Sequence, residues 1–161
     1  MSASTLLGSQ STSVSVTNVA TLRLTVPKVA SWWNFLRPLV QKALVRCDEA
    51  TMMNVYNSLI GEVLDCWIIV TKEEQPKIVG LCIAGVTVDL LVGYRNYLIY
   101  GLYSTTSIAD SAWQSVASTV SEWARSNKCD RLVAFTDKDR VIEIAELIGG
   151  SASLVMIEKE L

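Results

Sequence analysis

KDRVIEIAELIGG, from Lys138 to Gly150, carries the start and stop signals of a helix. Asp137 or Asp139 can cap a helix at its start, because a carboxylate there accepts hydrogen bonds from orphaned backbone amides. Gly149-Gly150 ends that helix, since glycine readily takes the left-handed conformation that closes one. Immediately upstream, Arg131 to Thr136 reads as a buried strand. Upstream again, Asp110 can cap a helix from Ser111 to about Asn127, with Trp113, Val116, Val120 and Trp123 or Ala124 turned inward. Downstream, Ser153 to Ile157 reads as a closing strand. The last third of the chain therefore alternates helix and strand.

The middle is all strand. Cys66 to Thr71, Lys77 to Leu91 and Tyr97 to Tyr103 are apolar runs joined by short turns, Lys72-Glu73-Glu74-Gln75-Pro76 and Val92 to Asn96. Three such strands predict an antiparallel meander, with a bend at Gly85. Before it lie a strand from Ala20 to Val26 that Pro27 ends, and two helical stretches. Ser31 can cap the first, which Pro38 kinks or delays; Asp48 can cap the second. The predicted class is α/β (α+β): a mixed, mostly antiparallel sheet flanked by helices. Residues 1–19 form a Ser/Thr-rich N-terminal arm and 20–161 the domain.

The order strand, helix, helix, three antiparallel strands, helix, strand, helix, strand resembles the GNAT-type N-acetyltransferase superfamily over residues 20–161. That superfamily often ends in an Asn-x-Arg-Ala-Ile-x-Leu-Tyr-Glu-Lys-Leu-Gly-Phe pattern. Here Arg140, Ile142, Glu146 and Gly149 fall in step with it. The resemblance implies a Gln/Arg-x-x-Gly-x-Gly/Ala loop before the helix that follows the fourth strand. There, glycines and a helix N-terminus would hold the pyrophosphate of acetyl-CoA. The stretch in that place is Ser104-Thr105-Thr106-Ser107-Ile108-Ala109-Asp110, without glycine or a basic residue. Ala145 stands where the superfamily's acid tyrosine is expected, and Gly150 where its Phe is.

No residue therefore qualifies for a catalytic assignment, and no cofactor is expected. Glu62 and Asp65 are the carboxylates to nominate as a base, against the plainer reading of a solvated helix end. The alternative to no cofactor is acetyl-CoA held by the hydroxyls of Ser104, Thr105, Thr106 and Ser107.

Composition narrows the classes further. There are no histidines, which removes His-based catalysis and His-ligated metal sites. A formal net charge of −2 and no basic run argue against nucleic acid. No apolar stretch is long enough to span a bilayer, and the N-terminus lacks a signal-peptide pattern. Cys47, Cys66, Cys82 and Cys129 show no CxxC spacing and read as reduced, buried thiols.

Half the residues are hydrophobic, which suggests a covered surface. In the adjacent pair Trp32-Trp33 one ring faces inward, and Trp33 is taken as the interface member. Tyr94, Tyr97, Tyr100 and Tyr103 recur every third residue. Strand alternation puts Tyr97 and Tyr103 on one face and Tyr100 on the other, with Tyr94 and Tyr100 offered to a partner. Residues 1–20 carry no charged side chain, and Ser13 to Thr17 alternates like a strand, with Val14 and Val16 as its apolar contacts. The expectation is a non-catalytic GNAT-like structural or interaction protein, a pseudoenzyme with protein partners or further copies of itself. It is similar in size and style to proteins of tailed-phage virions, so its place is the cytoplasm or a virion. The alternative is a divergent acetyl-CoA-dependent N-acetyltransferase, and a small inhibitor of one protein target remains open.

Overall fold

The structure is a computed structural model and describes residues 14–153 and 157–161. The chain runs β1 (Val19–Arg23), α1 (Val26–Ala43), α2 (Glu49–Ile60), β2 (Leu64–Thr71), β3 (Ile78–Val88), β4 (Arg95–Ser104), α3 (Asp110–Ser126), β5 (Arg131–Ala134) and α4 (Asp139–Leu147). One sheet holds the strands in chain order, β1-β2-β3-β4-β5. The first four are antiparallel neighbours, and β5 joins β4 in parallel. That is the predicted class.

Two cores lie on the two faces of the sheet. Val29, Leu36 and Val40 of α1 and Met52, Val55 and Leu59 of α2 pack on Cys66, Ile68, Leu81 and Ile83. Trp113, Val116, Val120 and Ala124 of α3 pack on Trp67, Ile69, Cys82 and Tyr97. β2 and β3 are covered on both sides, which is why their apolar runs are nearly continuous.

Several local expectations hold. The Asp48 side chain caps α2 by accepting from the Thr51 amide at 2.7 Å. Gly149 takes φ +86 after α4, and its amide and that of Gly150 donate back to Glu146 and Ala145, closing the helix. Others need correction. Pro27 does not end a strand but opens α1, which begins at Val26 behind Thr25 as N-cap. Proline fits there because first-turn amides have no partner to lose. α1 also runs through Pro38. Asp110 is the first residue of α3 and Ala109 its N-cap. Lys138 stands at the N-cap of α4, without a side-chain cap. The long strand stops at Val88, short of Leu91. Of the expected closing strand, Leu154 to Met156 lie outside the described residues, and Ser153 and Ile157 are not in a strand. Of the expected arm, residues 1–13 lie outside them too.

The tyrosine pattern is corrected by a bulge. Ile83 pairs with Gly101 and Ala84 with Ile99, so Tyr100 is the extra residue in β4. One extra residue flips the alternation beyond it. Tyr97 therefore lies in the α3-side core and Tyr103 packs against the α1 side.

Cys66 and Cys82 are buried, Cys129 is half-buried and Cys47 is exposed, so the expectation of four buried thiols fails at Cys47. Burial, with the neighbouring Asp65 carboxylate adding to it, pushes the Cys66 thiol up from 9.0 to about 12. Burial raises Cys82 as well. In the unfolded chain these thiols ionise near their ordinary value, while the folded chain keeps them protonated. Their contribution is thus intact below about pH 8.5 and is lost as pH rises toward the folded value, by up to ~1.4 kcal/mol per unit per thiol. The urea midpoint is expected to fall between pH 8 and pH 10; a midpoint that stays level would contradict the burial of these groups.

Candidate functional site

The bulge at Tyr100 also sets the shape of the sheet's edge. β5 follows β4 only from Asn96↔Arg131 to Ile99↔Ala134 and stops one residue before the bulge. Beyond that point the chain leaves through Phe135 and Thr136 toward α4. A shallow cleft, open to solvent and with a volume of about 20 Å³, lies between Tyr100 and Gly101 on one side and Phe135 and Lys138 on the other, with Ala43 beneath. Gly101 is what lets α1 come so close: a Cβ there would sit 2.6 Å from the Ala43 carbonyl oxygen.

At the end of β4 the loop Ser104 to Asp110 turns into α3. Here the N-terminal segment crosses it. The Val16 amide donates to the Ser107 carbonyl at 2.9 Å, and the Ala109 amide donates to the Val16 carbonyl at 2.8 Å. Val16 and Ile108 form a parallel bridge, and the Ser15 and Ser107 hydroxyls lie 2.8 Å apart. Ile108 is buried beneath. An N-cap amide is one of the donors that a helix N-terminus offers to an anion; at Ala109 it is already engaged.

Charge at the same spot points the same way. Asp110 opens α3 and accepts from Arg140 of α4 at 2.8 Å, while Arg140 also holds Glu143 at 2.9 Å. The hydrogen bond to Asp110, then that to Glu143, raises the Arg140 guanidinium above its ordinary range. Arg140, beside the loop, is thus matched by two carboxylates. Ser104 is half-buried, while Thr105, Thr106 and Ser107 are exposed. The Thr105 amide donates to the Val79 carbonyl at 2.9 Å.

The two nominated carboxylates separate. Glu62 sits exposed in the turn after α2 with φ 58. Asp65 is not at a solvated helix end but inside β2, where it gathers three donors. Tyr97 Oη donates to Oδ2 at 2.6 Å, Trp123 Nε1 to Oδ2 at 3.2 Å and Arg23 Nη1 to Oδ1 at 3.0 Å. Trp67 Nε1 donates to Tyr97 Oη at 2.9 Å, and the Arg23 guanidinium lies 4.1 Å over the Trp123 ring. Burial, then the bond to Asp65, raises the Tyr97 hydroxyl, which stays protonated and donating. A carboxylate with this many donors and little exposure ties β1, β2, β4 and α3 together. The signal for it in the sequence is a lone acid within an apolar strand, Leu64-Asp65-Cys66-Trp67.

The expected interface residues are dispersed. Trp33 is half-buried against Tyr56, ring centroids 4.9 Å apart, and Trp32 is the outward member of the pair. Tyr94 is exposed beneath Arg131, and Tyr100 is exposed at the cleft. Val14 is exposed, whereas Val16 is half-buried against the loop. Ala145 is half-buried in α4. Among the described residues no group of three His, Cys, Asp or Glu could hold a metal, and no helix is long and apolar enough to cross a membrane.

No protein-family model matches the sequence, and no curated protein matches it. Solved structures do match. Aminoglycoside N-acetyltransferase AAC(6')-Iy in complex with CoA aligns with a TM-score of 0.66 and 11% identity, over 89% of this chain and 95% of that one. The fold is of the GNAT type. A ribosomal-protein-alanine N-acetyltransferase from Brucella melitensis biovar Abortus 2308 aligns at 0.63 and 15% identity, over 89% and 99% of the two chains. A putative acetyl transferase from Pyrococcus furiosus aligns at 0.62 and 12%, over 89% and 100%. At such identities the GNAT-type likeness is one of fold, and it leaves the chemistry to this chain's own residues.

Proposed function

We propose that this chain is a GNAT-type fold that does not transfer acetyl groups and works as a structural or interaction protein. The observation that carries the reading is the Val16 carbonyl on the Ala109 amide. In the GNAT superfamily the helix after the fourth strand meets the pyrophosphate of acetyl-CoA. Here the chain's own N-terminal segment takes a donor at that helix end, and the Asp110 carboxylate next to it would repel phosphate. The glycine-free loop and Ala145 point the same way. In this reading the partners are proteins, reached through the uncharged N-terminal residues and the exposed aromatic and aliphatic side chains. The setting is a multi-subunit particle such as a tailed-phage virion, with the cytoplasm as the place of assembly.

The competing reading is a divergent N-acetyltransferase, and the open cleft beside Tyr100 is what favours it. Thermal denaturation with acetyl-CoA separates the two. The proposal expects no change in Tm. A ligand at a hundred times its Kd would stabilise the fold by about 2.7 kcal/mol. Such a shift, abolished by Thr106→Glu with Ser107→Glu, would show that acetyl-CoA binds at this loop and would contradict the proposal.

A further inference from the structure

The turn between β3 and β4 is built to present apolar side chains. Leu90, Leu91 and Val92 stand in succession at its tip, 92%, 96% and 59% exposed. The turn itself is well tied. The Asp89 amide donates to the Tyr94 carbonyl and the Gly93 amide to the Asp89 carbonyl, both at 2.8 Å. Asp89 Oδ1 accepts from the Leu91 amide at 3.0 Å. Gly93 takes φ +73, a conformation that a side chain would resist. With these amides held internally, the tip offers three aliphatic side chains in a fixed shape. Pre-organisation of this kind lowers the ordering cost of binding.

The same chain carries a receptor for such a tip. Trp32 and Phe35 on the outer side of α1 and Ile78 at the start of β3 line an open apolar groove of about 320 Å³. That size suits a few side chains. Two lysines stand beside it: Lys28 lies over Trp32, 4.8 Å from the ring, and exposed Lys77 adjoins Ile78. Asp89, at the root of the tip, brings a carboxylate, held only loosely by Arg131 at 3.8 Å. Tip and groove lie at opposite ends of β3. Eleven strand residues span about 35 Å, so a tip cannot reach the groove of its own chain.

We propose that the Leu90-Leu91-Val92 tip of one copy seats in the Trp32–Phe35–Ile78 groove of the next. Such a contact joins two different surfaces and is head-to-tail, so it builds open chains or rings rather than closing as a two-fold dimer. It is independent of the cofactor loop, since an active transferase could assemble in the same way.

The test is sedimentation of the full chain over a concentration series up to about 1 mM, because contacts this small are weak. The wild type is expected to gain mass beyond the dimer as concentration rises. Leu91→Asp and Phe35→Asp each remove one half of the contact at exposed positions, and each is expected to weaken association at least about tenfold. Their thermal melts should match the wild type. An equimolar mixture of the two variants retains one intact tip and one intact groove, so it should form a 1:1 dimer and stop there. A wild type that remains monomeric throughout would overturn the proposal. So would Leu91→Asp assembling like the wild type, or a mixture that does not cross-associate, which would indicate tip-to-tip contact. Monomeric wild type that co-sediments with phosphatidylcholine vesicles, while Leu91→Asp does not, would make the tip a lipid contact and overturn it as well.

Discussion

Asp65→Ala is expected to lower the unfolding free energy by about 2–4 kcal/mol, because it strands three donors at once in a mostly buried place. The Tyr97 hydroxyl, the Trp123 indole and the Arg23 guanidinium all lose their acceptor. For a domain of this size that is a drop in Tm of roughly 5–15 °C. Tyr97→Phe should cost less, about 1–3 kcal/mol, since Arg23 and Trp123 keep their carboxylate. The double variant should be less damaging than the two losses added, because both remove the same Asp65–Tyr97 bond. Chemical denaturation of the four proteins reads these values. Full additivity would mean that the network does not act as a unit, and a loss below about 1 kcal/mol for Asp65→Ala would mean that water replaces the lost acceptor.

The second large effect is steric. Gly101→Ala places a methyl 2.6 Å from the Ala43 carbonyl oxygen and 2.9 Å from its carbon. Both are backbone atoms, so neither can swing aside, and the end of α1 must lift from β4. Overpacking of this kind costs about 1–3 kcal/mol and occasionally more. Gly93→Ala is the control. It meets no atom within 4 Å and carries only the strain of its positive φ, about 1 kcal/mol. A Gly101→Ala variant as stable as the wild type would show that the approach of α1 to the bulge is slack.

How far the sequence could be read followed from the range of the forces involved. The order of elements was legible because apolar runs, turn residues and end signals such as Gly149-Gly150 act within a few residues. The cap at Asp48 is of the same local kind. Pro27 is ambiguous in the sequence because proline marks both the end of a strand and the first turn of a helix. Strict alternation puts Tyr97 and Tyr103 on one face; the bulge at Tyr100, which undoes this, depends on how β3 and β4 pair. The sequence offers Asp65 as a base or as part of a solvated helix end, and neither reading contains its three donors, for the same reason. Its donors come from residues 23, 97 and 123, far away in the chain. The Val16 contact was the least legible, since nothing in an uncharged Ser/Thr-rich stretch says which loop it will cross. Trp32 and Trp33 were distinguished only by the packing of Trp33 on Tyr56.

The most direct measurement of the account is amide hydrogen exchange at Ala109, in the full chain, with and without saturating acetyl-CoA. If the Val16 carbonyl holds that amide, Ala109 exchanges slowly in the free protein and acetyl-CoA leaves its rate unchanged. Fast exchange in the free protein, slowed on adding acetyl-CoA, would mean that the helix end is open to the cofactor and would contradict the account.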